Sequence, residues 1–198
     1  MRRSVFVLTL IAACALIAAP ASAQVQNHTS WYASAAIGPS FGTLGSTPVV
    51  DASAGYQLTP YVSVAGEFGV LPHAPFDKAN IVAPALSSIT SPSNVHVNAY
   101  HTNANLFVKA SPWGRFETYA TFGVGAFTGS TVAKSSLPGS TLTQYSRETN
   151  WAENVGLGTT YRVTKWLGLN ADYRHFIVNA SDTQHVNRFT TGVSFFVK

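Results

Sequence analysis

The chain has 198 residues, of which 46% are hydrophobic and only 10% charged, with a formal net charge of +4. Soluble domains carry about 25% charged residues, so this scarcity argues against a surface that faces water throughout, and the sequence offers no basic patch for nucleic acid. A single cysteine, Cys14, excludes a disulfide framework.

In chain order, Arg2 and Arg3 precede an apolar run over residues 5–19, followed by Pro20 and the triplet Ala21-Ser22-Ala23. A positive start, an apolar stretch too short to span a bilayer and an Ala-x-Ala site predict a cleavable secretory signal over residues 1–23. Cleavage then falls between Ala23 and Gln24, leaving a mature domain of residues 24–198. Two basic residues leave with the signal, so the balance falls from +4 to +2, and Cys14 leaves as well. A competing reading takes Ile11-Ala12-Ala13-Cys14 as a lipoprotein cleavage box. The segment ahead of it is shorter than the usual ~15 residues, and the apolar run continues past it.

No stretch of the mature chain is apolar for the ~20 residues a membrane helix needs. A membrane protein of this composition must therefore be a closed β-barrel, the other structure that satisfies its backbone in lipid. Its mark is alternating polarity, and eight segments carry it. Residues 31–41 set Trp31, Ala33, Ala35 and Ile37 against Tyr32, Ser34, Ala36 and Gly38. Residues 49–58 set Val50, Ala52, Ala54, Tyr56 and Leu58 against Asp51, Ser53, Gly55 and Gln57. Residues 61–70 oppose Val62, Val64, Phe68 and Val70 to Ser63, Ala65, Glu67 and Gly69. Residues 96–109 are the least regular, with Tyr100, Ala104, Leu106 and Val108 outward and His101, Asn103, Asn105 and Lys109 inward. Residues 116–127 place Phe116, Ala120, Phe122, Val124 and Ala126 opposite Glu117, Tyr119, Thr121, Gly123 and Gly125. In residues 151–163, Val155, Leu157, Tyr161 and Val163 oppose Asn154, Gly156, Gly158, Thr160 and Arg162. Leu167, Leu169, Ala171 and Tyr173 then face away from Gly168, Asn170, Asp172 and Arg174. Last, Phe189, Val193, Phe195 and Val197 oppose Arg188, Thr190, Gly192 and Ser194. Eight is an even number, as a single-chain bacterial barrel requires.

The predicted fold is thus all-β, a single eight-stranded antiparallel up-and-down transmembrane barrel. Its connections alternate as such a barrel demands. Short ones fall at residues 59–60, 111–115 and 164–165. Longer ones, rich in Ser, Thr, Pro and Gly, cover residues 39–48, 71–94, 129–149 and 180–184. With the termini in the periplasm, Trp31, Tyr61, Trp113, Phe116 and Trp166 form a girdle at the periplasmic rim, where amphipathic rings meet headgroups.

A water-soluble, lipocalin-like barrel shares this periodicity, but it would load its polar faces with Lys and Glu. Here those faces are mostly Gly, Ser, Ala, Thr and Asn, which suit a crowded lumen. The charges on them, Asp51, Glu67, Glu117 and Asp172 with Arg162, Arg174 and Arg188, must pair inside, because an unpaired buried charge costs several kcal/mol. Such a network reads as a gated ion path or as a structural plug, and the narrow bore of about eight strands favours the plug.

At this point the chain resembles the small outer-membrane barrels that include the transmembrane domain of OmpA, OmpX and the opacity-type surface proteins. The residues carrying the resemblance are Leu58-Thr59-Pro60-Tyr61 leading to Gly66-Glu67-Phe68-Gly69, Phe122 to Phe127, Leu167 to Arg174 and Phe189 to Phe196. The resemblance implies an outer-membrane location, contact with outer-membrane lipid and lipopolysaccharide, insertion by the outer-membrane assembly machinery, and no cofactor. It departs at the end, Phe195-Phe196-Val197-Lys198, where the family closes on an aromatic residue. That leaves the assembly signal to Phe195 or Phe196, or weakens it. Some fold-mates modify lipid A with a His and Ser pair, but His28-Thr29-Ser30 precedes the first strand and His175 and Ser181 straddle the top of one. His96 and His101 sit an odd number of positions apart and point to opposite faces. His175 and His185 can approach each other across the last hairpin, where isolated histidines are ordinary rim residues. The expectation is a monomeric, non-enzymatic membrane-anchored scaffold, without metal, whose loops meet an extracellular ligand in adhesion or envelope integrity. The alternatives are a narrow porin-like channel and a lipid A-modifying enzyme.

Overall fold

Alternation with period two forces successive side chains onto opposite faces, and eight such segments close on themselves in a computed structural model that describes residues 30–43, 45–74, 94–110, 115–137, 140–180 and 183–197. The strands are β1 (Trp31–Gly42), β2 (Thr47–Gln57), β3 (Val62–Ala74), β4 (Asn94–Lys109), β5 (Phe116–Leu137), β6 (Ser140–Arg162), β7 (Leu167–Asn179) and β8 (Thr183–Val197). Each pairs antiparallel with its sequence neighbour, and β1 pairs with β8, from Trp31 opposite Val197 to Gly42 opposite Val186. No sheet edge is left along that seam, which a bilayer would not tolerate.

Along the band the outward side chains are mostly apolar. Val50, Phe68, Val155, Leu157, Leu169, Phe189, Phe195 and Val197 are all exposed on the isolated chain. On β8 the outward apolar stretch runs from Phe189 to Val197. At about 3.4 Å per residue and the usual tilt of about 40°, it spans on the order of 20 Å, most of a barrel's lipid-facing band of about 25 Å.

Two of the short connections are built alike. Leu58 and Thr59 donate backbone N–H groups to Val62 O, while the Thr59 hydroxyl accepts from the N–H groups of Tyr61 and Val62. Val163 and Thr164 donate to Leu167 O, and the Thr164 hydroxyl accepts from Trp166 and Leu167. These turns lie at the barrel end that carries Trp31 and Val197, called here the terminal end.

At the opposite, loop end, the strands outrun the sequence reading. The segment 129–149, expected as a loop, is mostly β-hairpin: β5 continues to Leu137, β6 starts at Ser140, and their ladder is unbroken from Phe116–Tyr161 to Leu137–Ser140. β7 likewise runs on to Asn179 and β8 begins at Thr183, so the connection expected over 180–184 is shorter. Residues 75–93, most of the other long connection, lie outside the described residues.

Candidate functional site

Inward parity places Asp51 on β2, Glu67 on β3, His101 on β4, Asp172 and Arg174 on β7 and Arg188 on β8 inside the lumen, all 6% exposed or less. Register then decides which of them meet. Arg188 Nη1 stands 2.8 Å from Glu67 Oε1 and 3.0 Å from Asp51 Oδ1, and its Nη2 donates to Asp172 Oδ1 at 3.3 Å. Arg174 Nε donates to Asp172 Oδ1 at 2.7 Å, and its Nη1 pairs with Glu67 Oε2 at 2.9 Å. Two guanidiniums thus hold three carboxylates across the bore, the geometry in which a buried charge is tolerable. The Tyr119 hydroxyl donates to Asp172 Oδ2 at 3.1 Å.

Glu117 and Arg162 belong to a second group nearer the terminal end. Glu117 accepts from Arg162 Nε and, at 2.8 Å, from Lys109 Nζ, and the Arg162 guanidinium lies 3.8 Å from the Phe196 ring centre. All seven charged lumen residues named from sequence are therefore placed in ion pairs, in two groups rather than one. Sequence reasoning left out His101, Lys109 and Tyr119 as members. His101 Nε2 lies 2.9 Å from Asp51 Oδ1, and its Nδ1 lies 2.8 Å from Asn103 Nδ2. Its inward parity was legible, but its partner, 50 residues away, was not.

Asp51, Glu67 and His101 together offer a donor set that could hold a cation. The Arg188 guanidinium already occupies that position, within hydrogen-bond distance of all three. Gly69 makes the arrangement possible. It is paired with Asp51 on one side and His101 on the other, and a Cβ there would come within 2.1 Å of both Asp51 Oδ1 and His101 Nε2.

Apolar side chains close the lumen beyond the charges. Towards the loop end Val49, Leu71, Ala99, Phe127, Ala152, Phe176, Val178 and Val186 form a buried layer, with the Arg188 guanidinium 5.2 Å from the Phe176 ring centre. On the other side Tyr32, Ala65, Phe107 and Tyr119 pack together. The Tyr32 and Tyr119 rings lie against Gly55 and Gly158 of the neighbouring strands, where a Cβ would come within 2.6 Å of ring atoms. A cavity of about 70 Å³, room for a few waters, remains on the terminal-end side of the Arg188 group, lined by Glu67, Asp172 and Arg174 and reaching Lys109, Glu117 and Phe196.

Of the aromatic rim, Trp31, Phe116 and Trp166 point outward at the terminal end, and Tyr61 is half-buried there. Trp31 packs on Tyr56, Phe116 on Tyr161 and Trp166 on Phe195, which adds three rings to that girdle. Trp113, Ala23 and Gln24 lie outside the described residues.

An apolar outer band, an aromatic rim and a polar, ion-paired interior define a membrane-spanning β-barrel. The chain belongs to the outer membrane protein beta-barrel domain family, whose profile matches residues 9–195. No curated protein matches the sequence. Among solved structures, a major outer membrane protein from Thermus thermophilus is similar over 86% of this chain and 100% of its own, with a TM-score of 0.65 at 11% identity. Neisserial surface protein A is similar over 84% and 96%, with a TM-score of 0.53 at 17% identity. Ail, the attachment invasion locus protein of Yersinia pestis, is similar over 85% and 98%, with a TM-score of 0.52 at 12% identity. At these identities the likeness is one of fold.

Proposed function

We propose that this outer-membrane barrel is a non-enzymatic anchor, shut along its axis, whose loop end faces the cell exterior and carries recognition in adhesion or envelope integrity. The supporting observation is the lumen itself: two ion-paired groups fill it and an apolar layer lies across it. A bore so filled puts recognition at the loop end, where the hairpin of β5 and β6 is one candidate and the segment 71–94, on sequence grounds, the other. That the same fold supports an attachment invasion locus protein agrees with this reading by analogy only. Residues 1–23 serve as the cleavable signal, and the intact mass of the mature protein should correspond to a chain beginning at Gln24.

The test has two arms. In planar bilayers the purified barrel should give no stepwise conductance; open-channel steps abolished by Glu67→Ala or Arg174→Ala would overturn the plug reading in favour of a narrow channel. On whole cells, replacing residues 131–146 by a two-residue Asn-Gly turn should leave the barrel folded and reduce attachment to cell-surface matrix. Undiminished attachment, or altered lipid A acylation on expression, would count against the proposed role.

A further inference from the structure

The outward face is apolar along the band, but at its loop end it changes character on the last hairpin. There His175 on β7 stands directly opposite Asn187 on β8, with His185 on the diagonal, opposite Ile177. His185 Nδ1 lies 3.2 Å from His175 Nε2, and the ring centres are 5.3 Å apart at an interplanar angle of only 21°. That combination is edge-to-edge, with the two nitrogens facing each other. His175 Nδ1 lies 2.9 Å from Asn187 Oδ1, which also accepts from the Tyr173 hydroxyl at 2.8 Å.

Asn187 Oδ1 carries no hydrogen, so His175 must donate from Nδ1, and this leaves the Nε2 lone pair directed at His185. A metal-bound histidine is held in the same way, its far nitrogen donating to an oxygen that fixes ring and tautomer. The separation also fits. Two imidazole nitrogens at 2.0–2.1 Å from one ion, in cis positions, stand about 2.9–3.4 Å apart. The backbone beneath is fixed: Thr43 donates from its N–H to His185 O at 2.9 Å, and its hydroxyl lies 3.2 Å from both His185 N and His185 O. On the adjoining strand, Glu153 stands opposite Ile177, diagonal to His175, and faces the same outer surface.

We propose that His175 and His185 form a two-imidazole site for a divalent transition-metal ion such as Zn²⁺ on the outer wall of the barrel, oriented by Asn187 and Tyr173, with oxygen ligands from water completing the shell. On binding, the proton on His185 Nδ1 moves through solvent to its Nε2, which frees the second lone pair without changing the charge of either ring. Imidazole donors suit Zn²⁺, Ni²⁺ and Cu²⁺ over Mg²⁺ and Ca²⁺.

The experiment titrates ZnCl₂ into the full mature barrel, folded in detergent micelles, by isothermal calorimetry. One ion per barrel should bind, with no comparable response to Mg²⁺. His175→Ala and His185→Ala should each abolish the response. Asn187→Leu keeps both ligands and should weaken binding about 10–100-fold. Heat-modifiable gel migration, run on every variant, verifies that the barrel is folded. Absence of Zn²⁺ binding by the parent would overturn the proposal, as would unchanged affinity in a folded His175→Ala/His185→Ala double variant or in Asn187→Leu.

Discussion

Arg188 shows how much one residue can depend on the closed shape. Its partners Asp51, Glu67 and Asp172 come from β2, β3 and β7, and Glu67 is 121 positions away in sequence. Parity along each strand was enough to send all four inward, so that part of the site was readable from the residues alone. The division into two groups was not, because it follows from the stagger of eight strands, which no single segment encodes. Removing Arg188 leaves buried carboxylates short of compensation, so Arg188→Leu should lower unfolding stability by about 3–5 kcal/mol, measured by urea titration in detergent. Gly69→Ala adds one methyl group at the contact between His101 and Asp51. It should destabilise the barrel by about 1–3 kcal/mol through overpacking, whereas Gly66→Ala, with nothing within 4 Å, should be nearly neutral in the same assay.

At the scale of the elements, the strands were legible where their two faces differ and blurred where both are apolar. β7 is the clear case. Up to Arg174 it alternates, and then His175-Phe176-Ile177-Val178 brings apolar side chains to both faces, Phe176 and Val178 into the lumen layer and Ile177 outward. Reading by alternation stops there, although the ladder with β8 continues to Asn179. The extension of β5 and β6 was hidden differently. Its Ser, Thr and Gly content reads as loop by composition, while pairing with a neighbouring strand makes it sheet. The lumen layer predicts a large effect: Phe176 is 1% exposed, and Phe176→Ala should lower stability by about 3–5 kcal/mol in the urea assay. The paired turns give a smaller one. Thr59→Val and Thr164→Val each remove a hydroxyl that accepts two backbone N–H groups. Each should cost about 1 kcal/mol, since the freed donors lie at an exposed rim where water replaces the lost acceptor.

For the whole molecule, the scarcity of charge, the absence of a long apolar run in residues 24–198 and the even count of segments sufficed to place the chain in its class. They do so because a bilayer admits so few backbone solutions. What the loop end meets was not legible, since loops are selected for their partners and carry no period to read. The expected physical behaviour is that of an integral barrel: membrane-bound, extracted only by detergent, and faster-migrating on gels before boiling than after. Recovery in a soluble fraction with no mobility change would contradict the assignment.

The seam between β1 and β8 has a temporal consequence. Trp31 faces Val197 across a ladder whose two halves lie at opposite ends of the described chain. Every other pairing is between sequence neighbours and can form by local zippering, but this one must wait until the last strand has been delivered. Until then the sheet has two open edges, β1 and the last strand already added, whose unpaired amides hydrocarbon cannot solvate. Insertion and closure are therefore a single cooperative event, and a chain shortened before Thr183 has no partly stable intermediate in which to rest in the membrane.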